Sequence, residues 1–276
     1  MFGHPADLDS ILELSRSIPV VEDCAQSLFS KSRGQFTGMR SAASFFSFRS
    51  GKYISAGEGS AIFCRDPMLR ASIAKEVEHL QDYNSVQEFV HCTSTYLKSL
   101  FYQRPLYGIL GYPLGRALDR KFNLTAKTGF KLRRIARSDL KIIKDRLNGF
   151  SSKIERQREN ALFLLGKLEI SETALPRESK DCLFNYYQFP IRFRNTQERD
   201  LVAEGLLVHG IDSAKYLDEV VELARSFYGY RGGCPEAEIA SQTILVIPNH
   251  YTLSNKDMEF IAETFNKIVK RHQIAG

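Results

Sequence analysis

Ser47-Phe48-Arg49-Ser50-Gly51-Lys52-Tyr53-Ile54-Ser55-Ala56-Gly57-Glu58-Gly59-Ser60 carries the clearest fold signal in the chain. An alternating strand, Ala43 to Phe48, runs into a lysine among small residues, then a Gly-Glu-Gly-Ser turn and a second apolar run, Ala61 to Cys64. Glycines beside a lysine let backbone and ligand approach without a Cβ between them. A free lysine has a pKa near ~10.4, so only about one in 10³ is a neutral nucleophile at pH 7. Schiff-base lysines therefore sit in desolvated sites that favour the free amine. The plain reading is a solvated lysine in a hairpin loop, and this stretch alone favours it.

Upstream, Ile18-Pro19-Val20-Val21-Glu22-Asp23-Cys24-Ala25-Gln26-Ser27 reads as a buried strand ending in an acid. Ligands of open α/β sheets bind at the carboxyl ends of strands. An Asp there can keep a ring nitrogen protonated, as the partner carboxylate of a pyridinium does. It can equally cap the following segment. Asp23, Gln26, Ser47 and Lys52 together are more specific than any of them alone.

With Gly3-His4-Pro5-Ala6-Asp7-Leu8-Asp9 ahead of them, Val21 to Gln26, Phe46-Ser47-Phe48 and Gly51-Lys52 resemble, in order and spacing, the DegT-type (DegT/StrS) sugar aminotransferases. Gly233-Cys234-Pro235-Glu236-Ala237-Glu238 and Ile244 to Pro248 resemble that family's closing motif. The resemblance implies an α/β, PLP-dependent transferase fold type I with a partial, mainly parallel sheet, plus a C-terminal α+β lobe. It implies pyridoxal 5'-phosphate as cofactor, with Lys52 bonded to it and moving the substrate proton. Asp23 would pair with the ring nitrogen, Gln26 would lie near the ring oxygen and Ser47 would donate to the phosphate. The implied substrates are a nucleotide-linked keto-sugar and an amino-acid donor, glutamate, and the implied assembly is a homodimer. Relatives with histidine in place of the lysine act as dehydratases, so Lys52 favours amino transfer. Cell-surface polysaccharide or secondary-metabolite biosynthesis is the expected setting.

By the same resemblance, the usual chain begins roughly a third earlier, with the helix N-terminus that holds the phosphate and the aromatic that stacks on the ring. The family's glycine-asparagine-arginine motif has no match between Leu80 and Asp139. The alternative is accordingly a catalytically silent fragment or paralogue that acts as a binding or partner protein.

The chain has 276 residues, 43% hydrophobic and 25% charged, an ordinary globular composition that suits two lobes. The expected division is a truncated cofactor domain over 1–137, with 85–137 as a variant, insertion-like segment, and a long helix with a small domain over 138–276. Five scattered cysteines without metal spacing read as reduced thiols, and zinc is not expected. Neither a secretory leader nor a run of about eighteen apolar residues is present, so the expected compartment is the cytoplasm.

Of the net charge of +6, the segment from Arg116 to Arg146 carries +8, with eleven basic residues against Asp119, Asp139 and Asp145. A solvated basic face is the default for such a segment, and no nucleic-acid motif accompanies it. Contact with an anionic membrane surface through 104–146 is the lesser alternative.

Local signals predict helices from Pro5 to Ser17, from Asp66-Pro67 to about Leu80, over 86–102, as one long helix over 138–168, over 196–209 closed by Gly210, and over 254–270. Lys31 to Arg40 reads as a loop and Asn185 to Phe193 as a strand.

Overall fold

The structure is a computed structural model and describes residues 1–103, 105–115 and 132–274. The part of the basic segment between 116 and 131 lies outside the described residues. The chain forms two compact units. One comprises Ala6–Leu28 with Gln35–Phe150, and the other Met1–Pro5, Phe29–Gly34 and Ser151–Gly276.

The first unit, which carries Lys52, begins with α1 (Leu8–Ser15), started by Asp7, whose carboxylate accepts from the Ser10 amide. Then come β1 (Val21–Asp23), the two-residue strand β3 (Gln35–Phe36), β4 (Ala43–Ser47) and β5 (Ser60–Cys64). β2 (Lys31–Ser32) belongs to the other unit. Lys31 to Arg40, expected as loop, therefore contains two very short strands. β1 pairs parallel with β4, and β4 pairs antiparallel with β5, so the three-stranded sheet is partly parallel.

Helices α2 (Pro67–Glu78), α3 (Ser85–Phe101) and α4 (Arg137–Leu147) follow, with a π-helical turn at Tyr107–Gly111 between the last two. Asp66 caps α2 through the Met68 amide, and Pro67 occupies the first turn, where its missing N–H costs nothing. Asn84 and Gln87 form a capping box at the start of α3.

The single long helix expected over 138–168 is two helices, α4 and α5 (Phe150–Lys167). Asn148 turns to an extended ψ of 123°, and Gly149 takes a φ of +68°, a conformation only glycine adopts cheaply. The apolar stripe continues across the break, which is why periodicity alone did not reveal it.

In the second unit β2 pairs antiparallel with β6 (Cys182–Leu183), and β7 (Phe189–Arg192) with β8 (Ile244–Ile247). Three helices, α6 (Thr196–Val208), α7 (Val220–Tyr228) and α8 (Pro235–Thr243), precede β8, and α9 (Asn255–Arg271) closes the chain. Ser254 and Asp257 make the capping box expected for α9. The core gathers Leu164, Phe184, Phe189, Ile191, Leu206, Leu245, Ile247 and Phe265. At Gly205 an added Cβ would lie 2.8 Å from Ile268, so glycine lets α6 approach α9.

The strand expected over 185–193 is shorter, because Tyr186 takes a φ of +51° and the Tyr187 amide donates to the Asn185 side chain at 2.8 Å. The Tyr186 carbonyl is instead claimed by the side-chain amides of Gln157 (2.7 Å) and Asn249 (2.9 Å).

Candidate active site

Because β1 and β4 are parallel, with Asp23 opposite Phe45, Asp23 and Ser47 lie at the carboxyl end of the same strand pair. Asp23 is exposed, and its Oδ1 accepts from the Ala25 amide at 2.9 Å, so it closes a turn while leaving the carboxylate in solvent. Gln26 and Ser47 are half-buried, and the Arg49 amide approaches the Ser47 hydroxyl at 3.5 Å. Cys24, between Asp23 and Gln26, is buried, and burial pushes its thiol up to about 11, so it is no nucleophile.

Beyond β4 the chain makes a closed loop that presents Lys52. The Lys52 amide donates to the Arg49 carbonyl at 3.0 Å, and the Ala56 amide returns to the Phe48 carbonyl at 2.9 Å. The Phe48 amide donates to the Gly59 carbonyl and the Ser50 amide to the Gly57 carbonyl, each at 2.9 Å. Tyr53, Ile54 and Ala56 fill the loop's inside, with Tyr53 edge-on to Phe150 at 5.9 Å.

The glycines do different work. Gly51 has open space around it and supplies only its φ of +87°, whereas a Cβ at Gly59 would run into the Ile135 side chain. Lys52 is half-buried, and its ammonium is held below the usual lysine value by burial first and the Arg49 charge second. The Asp23 carboxylate opposes that shift, so Asp23 acts electrostatically on Lys52.

Of the four residues singled out in the sequence, all lie in the first unit, and Lys52 and Asp23 are electrostatically coupled there. Arg49 was missed, although it stands in the same stretch; a cation three residues from a candidate nucleophile is the signal that was available. Among the described residues no group of His, Cys, Asp and Glu could hold a metal ion.

The model of the DegT/DnrJ/EryC1/StrS aminotransferase family matches residues 1–266. The chain belongs to that family. Its members use pyridoxal phosphate. The chain is 26% identical over 254 residues to the dTDP-3-amino-3,4,6-trideoxy-alpha-D-glucose transaminase of Streptomyces venezuelae, covering 90% of this chain and 56% of that protein. It is 26% identical over 270 residues to the GDP-perosamine synthase of Escherichia coli O157:H7, covering 97% and 63%. The chain thus spans about three fifths of the length of these curated relatives.

The fold is shared with Spr1654 of Streptococcus pneumoniae, solved in a PLP form, at a TM-score of 0.69 and 15% identity, over 98% of this chain and 67% of that one. The DegT-type fold, PLP-dependent fold type I, is therefore the fold of this chain. The donor set at the carboxyl end of β1 and β4 fits the family's cofactor: an amine shifted toward its neutral form, and an exposed carboxylate acting on it.

Proposed function

We propose that this chain carries the reactive lysine of a PLP-dependent sugar aminotransferase, one that moves an amino group from glutamate to a nucleotide-linked keto-sugar. The observation that carries the reading is the Lys52 ammonium, lowered by burial and Arg49 while Asp23 acts on it from the end of the parallel strand pair. Pyridoxal phosphate, when bound, supplies the electron sink that lets an amino group leave one carbon and join another.

The chain's own residues do the rest. Lys52 Nζ, held below the usual lysine value, would be the amine that bonds the cofactor and would afterwards take and return a proton. The Asp23 carboxylate, solvent-facing, would hold the proton of the ring nitrogen. Ser47 would offer a hydroxyl to the phosphate and Gln26 an amide to the ring oxygen. Arg49 adds positive charge beside Lys52, which lowers the amine and attracts an anion at once. The working assembly in this reading is a homodimer in the cytoplasm.

The test is borohydride reduction of the chain after exposure to pyridoxal phosphate, followed by peptide mapping. Lys52 is expected to hold the pyridoxyl label. A label on Lys31 or Lys75 instead would overturn the assignment.

A second reading is a catalytically silent chain that binds a complete relative. The exposure of Val21, Ile62 and Phe63 on the sheet favours it, since such apolar strands seek cover. Absorbance in the near-visible after adding the cofactor separates the two readings.

A further inference from the structure

We propose that α3 and the first turn of α4 form a brace that positions the Lys52 loop, with Asp139 as the positioning residue and His91 and Glu88 as its supports. The proposal rests on reading Lys52 as the reactive lysine.

Asp139 is 2% exposed, and a buried carboxylate is costly unless its oxygens are satisfied. Its Oδ2 accepts from the Glu58 amide at 3.1 Å and lies 2.8 Å from His91 Nε2. A Cβ at Gly57 would stand 3.0 Å from Asp139 Oδ1, and Gly57 has a φ of +108°, so only glycine fits against the carboxylate there. The Gly57 carbonyl in turn accepts the Ser50 amide at 2.9 Å and the Ser50 hydroxyl at 3.1 Å. Asp139 therefore grips one arm of the loop, and that arm holds the other arm two residues before Lys52. Farther along α4, Arg146 Nη1 donates to the Ser55 carbonyl at 2.5 Å. One helix thus holds the loop at two points.

The supports come from α3. The residue before α4, Ala136, has only a methyl group and cannot cap its amides. Glu88 does so from α3, its Oε1 accepting the Ser138 amide at 2.8 Å. Three residues on, on the same face of α3, His91 is 12% exposed and points its Nε2 at Asp139. Tyr83 packs on the His91 ring at 5.4 Å and reaches the Glu58 carboxylate at 3.5 Å. α3 thereby holds the first turn of α4 against the lysine loop. The depressed Lys52 amine depends on the same loop conformation, because burial and Arg49 set it.

The experiment uses the full chain and two readouts that need no activity. Trace acetylation of individual lysines across pH, read by mass spectrometry, gives the titration of Lys52. Hydrogen exchange gives the opening of the Ser50 and Glu58 amides. In Asp139→Ala, Lys52 is expected to titrate about one pH unit higher, the size of an ordinary environmental shift, and both amides to exchange about tenfold faster. Lys215, in the other unit, is expected to keep its profile.

His91→Phe removes the ring donor and is expected to move both readouts in the same direction. His91→Gln, which keeps an N–H donor, is expected to leave them near wild type. A folded Asp139→Ala chain with wild-type amide exchange and a wild-type Lys52 titration overturns the brace. If Asp139→Ala does not fold, identical readouts from His91→Phe and His91→Gln overturn it. If wild-type Lys52 titrates as an ordinary lysine while the amides still open in the variants, the reading of Lys52 as the reactive lysine fails and the brace stands.

Discussion

Phe189 and Phe265 in the second unit are completely enclosed, whereas Ile62 and Phe63 on β5 of the first stand 51% and 38% exposed. Val21 on β1 is 62% exposed, and neither α2 nor α3 has a single buried residue. The same residue types thus do opposite work in the two units. In the second they close one continuous core between α5, α6, α9 and the β7–β8 pair. Among the described residues of the first, Phe48, Tyr53, Ile54, Ile143 and Phe150 are enclosed, as are Leu8, Cys24, Ala43 and Cys64, but none of them joins the large core.

The first unit is held instead by polar ties to backbone. Glu22 accepts the Gly38 amide at 2.9 Å and the Ser41 amide at 3.3 Å, and Asp139 accepts the Glu58 amide. Apolar burial supplies most folding free energy, so the comparison assigns stability to one unit and the candidate chemistry to the other.

The largest loss of stability is expected from Phe189→Ala. Phe189 is fully buried on β7, opposite Ile247, and truncating such a ring costs about 3–5 kcal/mol. Urea unfolding followed by circular dichroism is expected to show the second unit's transition moving to much lower denaturant. A loss under about 1 kcal/mol would mean that the site collapses easily and the core is less well packed than its exposure values imply.

Next in size is the ion pair that ties α5 to the approach of β6. Arg158 Nη1 lies 2.8 Å from Glu178 Oε1, and the Phe184 amide donates to the same oxygen at 2.5 Å. Burial works against the Glu178 charge, but the bonds from Arg158 and Phe184 outweigh it and hold the carboxyl below the usual glutamate range. A lowered folded value contributes stability above the unfolded pKa, and that stability is lost as pH falls through the folded value. Glu178→Gln is therefore expected to cost about 1.5–3 kcal/mol at neutral pH, the worth of a hydrogen bond to a charged group. The gap between variant and wild type is expected to close as the medium is acidified below the glutamate range. A pH-independent gap would assign the loss to packing rather than charge.

How much of this was legible in the sequence follows the range of the interactions involved. The Asp66-Pro67 start of α2 and the Ser254/Asp257 box of α9 are contacts between near neighbours, and they were readable. Asp23 was singled out because it ends a strand, and Lys52 because it follows one among small residues. The break at Gly149 was hidden, since a continuous apolar stripe looks alike in one helix or two. The shortening of the 185–193 strand depends on Gln157 and Asn249, which sit 29 and 63 residues from Tyr186. The pairing of Asp139 with His91 spans 48 residues, and neither residue carries a local mark that distinguishes it from a surface acid or a core histidine. The antiparallel direction of β5 departs from the mainly parallel sheet that the resemblance implied and agrees with the hairpin reading of the Lys52 loop.

The smallest expected effect is the sharpest probe of the open sheet. Ile62 sits at the middle of β5, opposite Phe45, and β5 is an edge strand of its sheet among the described residues. With about half of its surface already in water, replacing it removes little apolar burial, and exposed substitutions of this kind stay within about 0.5 kcal/mol. A lysine on an edge strand also discourages pairing with a further strand. Ile62→Lys is therefore expected to leave the unfolding midpoint nearly unchanged while lowering light scattering at high protein concentration. If instead the variant loses more than about 1 kcal/mol, Ile62 is covered in solution, and the first unit owes more to apolar contact than the comparison allows. If midpoint and scattering both stay at wild-type values, the exposed strand is not what brings chains together, and the second reading of the function loses its support.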